Sequence, residues 1–238
     1  MKTSFQLGEI HVELEKKNIK NIHLSVYPPD GAVRVSAPSR MTTDRIRIFT
    51  IQKLDWIKRQ QRKLQAQERE MPRDYKNKES HYLWGKRYLM KIVKSEGGDH
   101  LTLDHKHITL HMAETATEVK KAALLEKHYR DELRESAQRM INLWVEKIGV
   151  ELDRFYIQGM KTKWGSCSPH NKSIRLNLEL AKKPPECLEY IVVHELIHLI
   201  EPTHNDRFIA LLERHMPLWR HHRDELNRLP VKHESWKY

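Results

Sequence analysis

The sequence predicts an α+β protein. A β-rich N-terminal region over 1–112 carries one long basic helix, a more helical region covers 113–238, and the two are expected to close into one compact unit. Three observations carry this. Apolar and polar residues alternate in short runs through the first half, the signature of half-buried strands. From Glu118 the apolar period lengthens to that of a helix. The run Tyr190 to Ile200 is apolar except for His194, Glu195 and His198, so a buried helix carries three polar groups in its middle.

The elements follow in chain order. Ile10, Val12 and Leu14, then Ile22, Leu24 and Val26, then Val33 and Val35 alternate with polar residues; three strands are expected over 9–37. The stretch Lys16–Lys20 forms the first turn and Pro28-Pro29-Asp30-Gly31 the second, where Pro presets φ and Gly accepts positive φ. Thr42-Thr43-Asp44 can cap a helix over 45–69. Ile46, Phe49, Leu54, Ile57 and Leu64 fall on one face of it, and Arg47, Lys53, Lys58, Arg59, Arg62 and Lys63 cover much of the rest. Residues 70–81, with Pro72, read as a loop. Tyr82–Val93 reads as strand, turn, strand, Gly97-Gly98 as another turn, and Leu101–Leu103 and Ile108–Leu110 as short strands.

A long helix then runs from Glu118 to Gly149, the glycine serving as its stop. Phe155-Tyr156-Ile157 is a strand. The Gly-containing turn Trp164-Gly165-Ser166 leads into a strand over 173–179, in which Ile174, Leu176 and Leu178 share one face. Pro184-Pro185-Glu186 suits a helix start. Asn205-Asp206 can cap a short helix that Pro217 ends, and a last helix holds Trp219 and Leu226 before Pro230. No internal repeat and no low-complexity tract is evident.

The chemistry concentrates in His194-Glu195-Leu196-Ile197-His198. On a helix, positions i and i+4 lie one above the other, so both imidazoles can aim at one point, with Glu195 beside it. A catalytic zinc takes three protein ligands and keeps one position for water. His204, past the helix end, is the candidate third ligand. Sixteen histidines make a chance His-Glu-x-x-His conceivable, but three buried polar groups need partners, and one metal ion can satisfy them together. Zn2+ at His194, His198 and His204 would lower the pKa of a water to about 7. Glu195 is placed to take that water's proton and to deliver it to a leaving amine.

The spacing of the three histidines is that of the metzincins, but Glu201-Pro202 stands where those enzymes use Gly, and no convincing Met-turn surrounds Met216. A better match runs through four blocks: Lys163-Trp164-Gly165-Ser166-Cys167-Ser168, Ile174-Arg175-Leu176-Asn177, Leu188 through Leu199, and His204-Asn205-x-x-Phe208. In order and spacing they resemble the YgjP-like metallopeptidases, relatives of the SprT-like zinc proteases. The resemblance is dense over 155–220 and looser before it. It implies a zincin-like catalytic region, ligands His194, His198 and His204, Glu195 as catalyst, and a protein or peptide substrate. It also suggests that the strand at 173–179 is the edge along which an extended peptide lies, with Trp164, Gly165, Ser166, Ile174 and Leu176 as substrate-binding residues.

Trp164 reads equally as a packing anchor in a tight turn, and Cys167 as a fourth metal ligand would close the site. Arg207, Tyr190 and His215 are oxyanion candidates by sequence proximity alone. Two cysteines, Cys167 and Cys187, make a disulfide framework unexpected. No apolar run approaches a membrane span, and Met1–Glu9 lacks the apolar core of a signal peptide; a cytoplasmic protein with no membrane partner is expected. The net charge of +11 permits a nucleic-acid partner on the basic surface. The competing reading is therefore a basic nucleic-acid-associated module with a structural or conditionally active zinc site.

Overall fold

A computed structural model describes residues 2–27, 31–66, 73–160 and 163–229. The expected turn at 28–30, Pro72, Pro230 and the last residues of the expected helix over 45–69 lie outside them. The chain is mixed α+β and forms two compact units that divide between Glu70 and Met71.

The first unit opens on four strands, β1 (Lys2–Leu7), β2 (Ile10–Lys17), β3 (His23–Tyr27) and β4 (Ala32–Pro38), in the order β1-β2-β4-β3. β2 and β4 run parallel in the middle and the outer pairs are antiparallel. Ile10, Val12, Leu14, Val33, Val35 and Ala37 bury one face against Ile46 and Ile57. Those two residues belong to α1 (Thr43–Gln52), capped by the Thr42 hydroxyl, and α2 (Leu54–Ala66). The single helix expected here is interrupted at Lys53, whose N–H bonds the Thr50 carbonyl in a tighter turn. Apolar periodicity does not register such a break, because Ile46 and Ile57 reach the same core on either side of it.

The second unit repeats that strand order with unrelated residues. β5 (Ser80–Leu83), β6 (Lys86–Lys94), β7 (His100–Leu103) and β8 (His107–Met112) are ordered β5-β6-β8-β7, again with a parallel central pair. The repeat is topological and leaves no sequence trace, since any apolar residues at alternate positions can form it. Its buried face, Leu83, Tyr88, Met90, Ile108, Leu110 and Met112, shares one core with α3 (Glu118–Ile148) and α4 (Pro185–Ile197). That shared core is why the boundary falls before Arg73 and not at 112/113: a sheet cannot be parted from the helices that cover its apolar face.

Two contacts brace α4. Trp144 on α3 donates its indole N–H to Glu189 at 2.9 Å. The β5–β6 turn places Trp84 and Gly85 at positive φ, the geometry of a tight hairpin turn, and their N–H groups donate to Ala181 and Lys182, just before α4. After α3, which stops at Gly149 with φ 76°, come β9 (Arg154–Gln158), β10 (Gly165–Ser168) and β11 (Ser173–Asn177) in the order β10-β11-β9. A 3-10 turn over Leu178–Lys182 then leads into α4, and α5 (Asp206–His215) and α6 (Trp219–Arg228) follow it. Among the described residues, no helix is long and apolar enough to cross a membrane.

Candidate metal centre and active site

α4 buries nearly its whole surface: Leu188, Ile191, Val192, Val193, Leu196 and Ile197 are all in the core. Outside its exposed first residues, Pro185 and Glu186, it comes nearest to solvent at its C-terminal end. There it places His194 and Glu195, and His198 caps it. The chain then turns, with the Ile200 and Glu201 N–H groups both bonding the Ile197 carbonyl, and returns His204 to the same point. The Nε2 atom of His204 lies 3.0 Å from that of His194 and 3.1 Å from that of His198. A tetrahedral ion with nitrogens at about 2.1 Å would hold them roughly 3.4 Å apart, so the three atoms are close to ligand spacing. Three imidazoles cannot satisfy one another's facing lone pairs with protons alone, whereas a cation can. They form the one group among the described residues with the spacing to hold a metal ion, and Cys167 is not part of it.

Their protonation suits the same role. Burial, then the neighbouring His198 and His204, push His194 down to about 3, and burial lowers His198. Both rings are therefore neutral at neutral pH, the ligating form. His198 Nδ1 sits 3.0 Å from the Glu201 carbonyl. That contact fixes the tautomer with Nδ1–H donating and Nε2 free. Beneath the triad lies Phe208, only 1% exposed, with ring centroids 4.6–4.9 Å from those of all three histidines. Asn205 sets it there by capping α5 through the Phe208 N–H.

Glu195 lies against β10. A Cβ on Gly165 would stand 2.5 Å from Glu195 Oε1 and 2.8 Å from its Cγ. Gly165 is therefore required for space, and the Glu195 carboxyl lies against the strand backbone. Burial pushes its pKa up to about 8, with the Lys163 charge opposing.

The sheet order corrects the expected cleft wall. β11 is the central strand, flanked by β10 and β9, so the strand expected over 173–179 is not an edge; it also ends at Asn177. Ile174 and Leu176 are 0% exposed in the core and cannot bind substrate. Alternation of apolar residues identified their buried face but not the strand's place in the sheet. The edges are β9 and β10, and β10 is the one that lies against Glu195. Asn177 N–H bonds the Trp164 carbonyl, and antiparallel pairs alternate, so the main-chain groups of Gly165 and Cys167 face away from β11. Ser166 and Trp164 lie on the same segment and are half-buried.

Of the oxyanion candidates, Tyr190 is buried edge-on to His194 at 5.8 Å, with its hydroxyl pushed up to about 12 by burial. Arg207 reaches toward Glu201 at 4.0 Å, and His215 packs edge-on to Trp144. Sequence reasoning missed Glu201, whose carboxylate takes the Thr203 hydroxyl at 3.0 Å inside the turn that returns His204; its acidic place in a metzincin-like spacing was the available signal.

The family model for the YgjP-like metallopeptidase domain matches residues 20–229. The chain belongs to the YgjP-like metallopeptidase family. Membership makes it a metallopeptidase, a hydrolase that acts on proteins or peptides with a metal ion. Among solved structures, the zymogen of Pyrococcus abyssi abylysin is 22% identical, matching 40% of this chain and 99% of its own length at a TM-score of 0.36. The zymogen of Methanocaldococcus jannaschii jannalysin is 25% identical, matching 38% of this chain and 92% of its own at 0.35. No curated protein matches the chain.

Proposed function

We propose that this YgjP-like metallopeptidase is a zinc enzyme with a zincin-like catalytic region, in which His194, His198 and His204 hold the ion and Glu195 is the general base and acid. The observation that carries the reading is the convergence of three imidazoles at the end of the helix whose Glu195 carboxyl is packed against the edge strand β10. Zinc bound there supplies Lewis acidity, which eases deprotonation of water and polarises the scissile carbonyl. Every other role falls to the chain. Outward-facing main-chain groups of Gly165 and Cys167 can pair with an extended peptide as an added strand, with Trp164 and Ser166 beside it. Glu195 takes a proton from the attacking water and returns it to the leaving amine. Its raised pKa lies near neutral pH, which suits a group that must do both. Glu195→Gln tests this: metal analysis should still find about one zinc per chain, while hydrolysis of a denatured-protein panel should fall by roughly 10²–10⁴. Full hydrolysis by that variant would refute the role.

A second reading concerns the first unit. Arg45, Arg47, Lys53, Lys58, Arg59 and Arg62 are exposed on α1 and α2, and Trp56 among them is 36% exposed. Cations for phosphates beside an indole for unpaired bases suit a single-stranded nucleic acid, which would bring the peptidase to substrates held there. Binding of an oligonucleotide should weaken steeply with salt and should be lost in a variant with Arg59 and Arg62 replaced by Gln. No binding at low salt would remove this reading.

A further inference from the structure

The proposed chemistry needs β10 held in register beside Glu195, yet among the described residues β10 is an edge strand with a neighbour on one side only. Gly165 at its start must keep its Cα against the Glu195 carboxyl. Pairing with β11 holds the strand itself, and one side chain that the mechanism does not use ties down the chain entering it. Asn177 ends the central strand β11 and is 4% exposed. Its amide nitrogen donates to the Met160 carbonyl at 2.9 Å and to the Lys163 carbonyl at 2.8 Å. Its amide oxygen accepts from the Met160 N–H at 3.3 Å and from the Glu179 N–H at 3.2 Å. Its own N–H donates to the Trp164 carbonyl at 2.9 Å.

Two donors and two acceptors are all that an amide side chain offers, and each has a partner. The partners sit on both sides of the connection from β9 to β10 and at the entry to the 3-10 turn that precedes α4. An apolar residue could fill the volume but could satisfy none of these main-chain groups. Asp could accept but not donate, leaving two carbonyls facing a carboxylate. The metal ligands lie elsewhere, on α4 and the turn after it.

We propose that Asn177 is a positioning residue that fixes the entry of β10, and with it Gly165 and the free strand edge, against Glu195. The inference rests on the peptidase reading for its catalytic consequence but not for its structural one, and the test separates the two. The structural arm uses the zinc-loaded full chain and a maleimide, with the modified cysteine identified by peptide mapping. Cys167 lies on β10 and is half-buried, whereas Cys187 on α4 is fully buried. In Asn177→Asp, Cys167 should react about tenfold faster, the shift expected from losing two partly compensated hydrogen bonds, while Cys187 stays unreactive and bound zinc is unchanged. In the catalytic arm, kcat should fall by about a hundredfold, the cost of misplacing reacting groups by roughly 1 Å. Asn177→Ser, a milder change, should move both readings in the same direction by less, and it serves alone if the Asp variant does not fold. An unchanged Cys167 rate, or Cys167 and Cys187 accelerating together as in general loosening, overturns the proposal. An accelerated Cys167 in a chain whose wild type cleaves nothing would support the clasp and count against the peptidase reading instead.

Discussion

Replacing Gly165 with Ala adds one methyl group at the point where β10 meets the Glu195 carboxyl. The added carbon would stand 2.5 Å from Glu195 Oε1, 2.8 Å from Cγ and 2.9 Å from Cδ. Carbon atoms settle at about 3.5–4.0 Å, so the overlap is roughly 1 Å along most of the side chain, and moving the terminal oxygen does not relieve it. Glu195 is 5% exposed and enclosed by the core, so either its carboxyl or the strand must shift by about that distance. Overpacking of this kind costs about 1–3 kcal/mol. At about 2–4 °C per kcal/mol for a chain of this size, the melting temperature should fall by roughly 2–12 °C. A shift of roughly 1 Å in the acid–base group should lower kcat by about a hundredfold. None of the three histidines is touched, so zinc content should stay at about one per chain. The assay combines metal analysis, calorimetry and initial rates on a fluorogenic peptide library. A Gly165→Ala protein with wild-type kcat would show that the Glu195 carboxyl need not lie where it does, and the proposed mechanism would fail with it.

Three further outcomes follow from particular contacts. Glu201→Ala removes the carboxylate that holds Thr203 in the turn to His204, and zinc affinity measured by chelator competition should weaken about 10–100-fold; unchanged affinity would make that carboxylate incidental. Ile174→Ala should cost about 2–5 kcal/mol of stability as a core cavity yet leave KM unchanged below the melting temperature, whereas a raised KM with full stability would restore Ile174 to the substrate site. The metal-free protein should be most stable between about pH 4.5 and 6.5. His194 is lowered from 6.5 to about 3, so below 6.5 the unfolded chain binds its proton first and stability is lost on acidification. Glu195 is raised from 4.5 to about 8, so between those values the folded chain holds the extra proton and stability is lost as pH rises. From 4.5 to 6.5 these two slopes oppose each other, and His198, also lowered by burial, places the maximum toward the upper end of that range. In Glu195→Gln the decline between about 6.5 and 8 should vanish; a melting-temperature profile that keeps it would assign it to another group.

Some of this was legible in sequence because the relevant constraint is local. The i, i+4 spacing of His194 and His198 depends only on helix pitch. The caps at Thr42 and Asn205 and the stop at Gly149 depend on their immediate neighbours. The apolar face of Ile174 and Leu176 is likewise fixed by the period of a strand, which says that they are buried but not what buries them. The motif residues and the family resemblance thus pointed to His194, His198, His204 and Glu195 before any coordinates, and the fold brings the three imidazoles together. Tertiary structure decided everything that depends on neighbours distant in the chain. It made β11 central and β10 an edge, because strand order is set by which segments pair and not by their composition. It gave Gly165 its reason, since only the packed sheet brings Glu195 within reach of a missing Cβ. It joined the strands at 80–112 to the helices after them, because one core covers both, and it showed two sheets of identical strand order where the sequence shows no repeat.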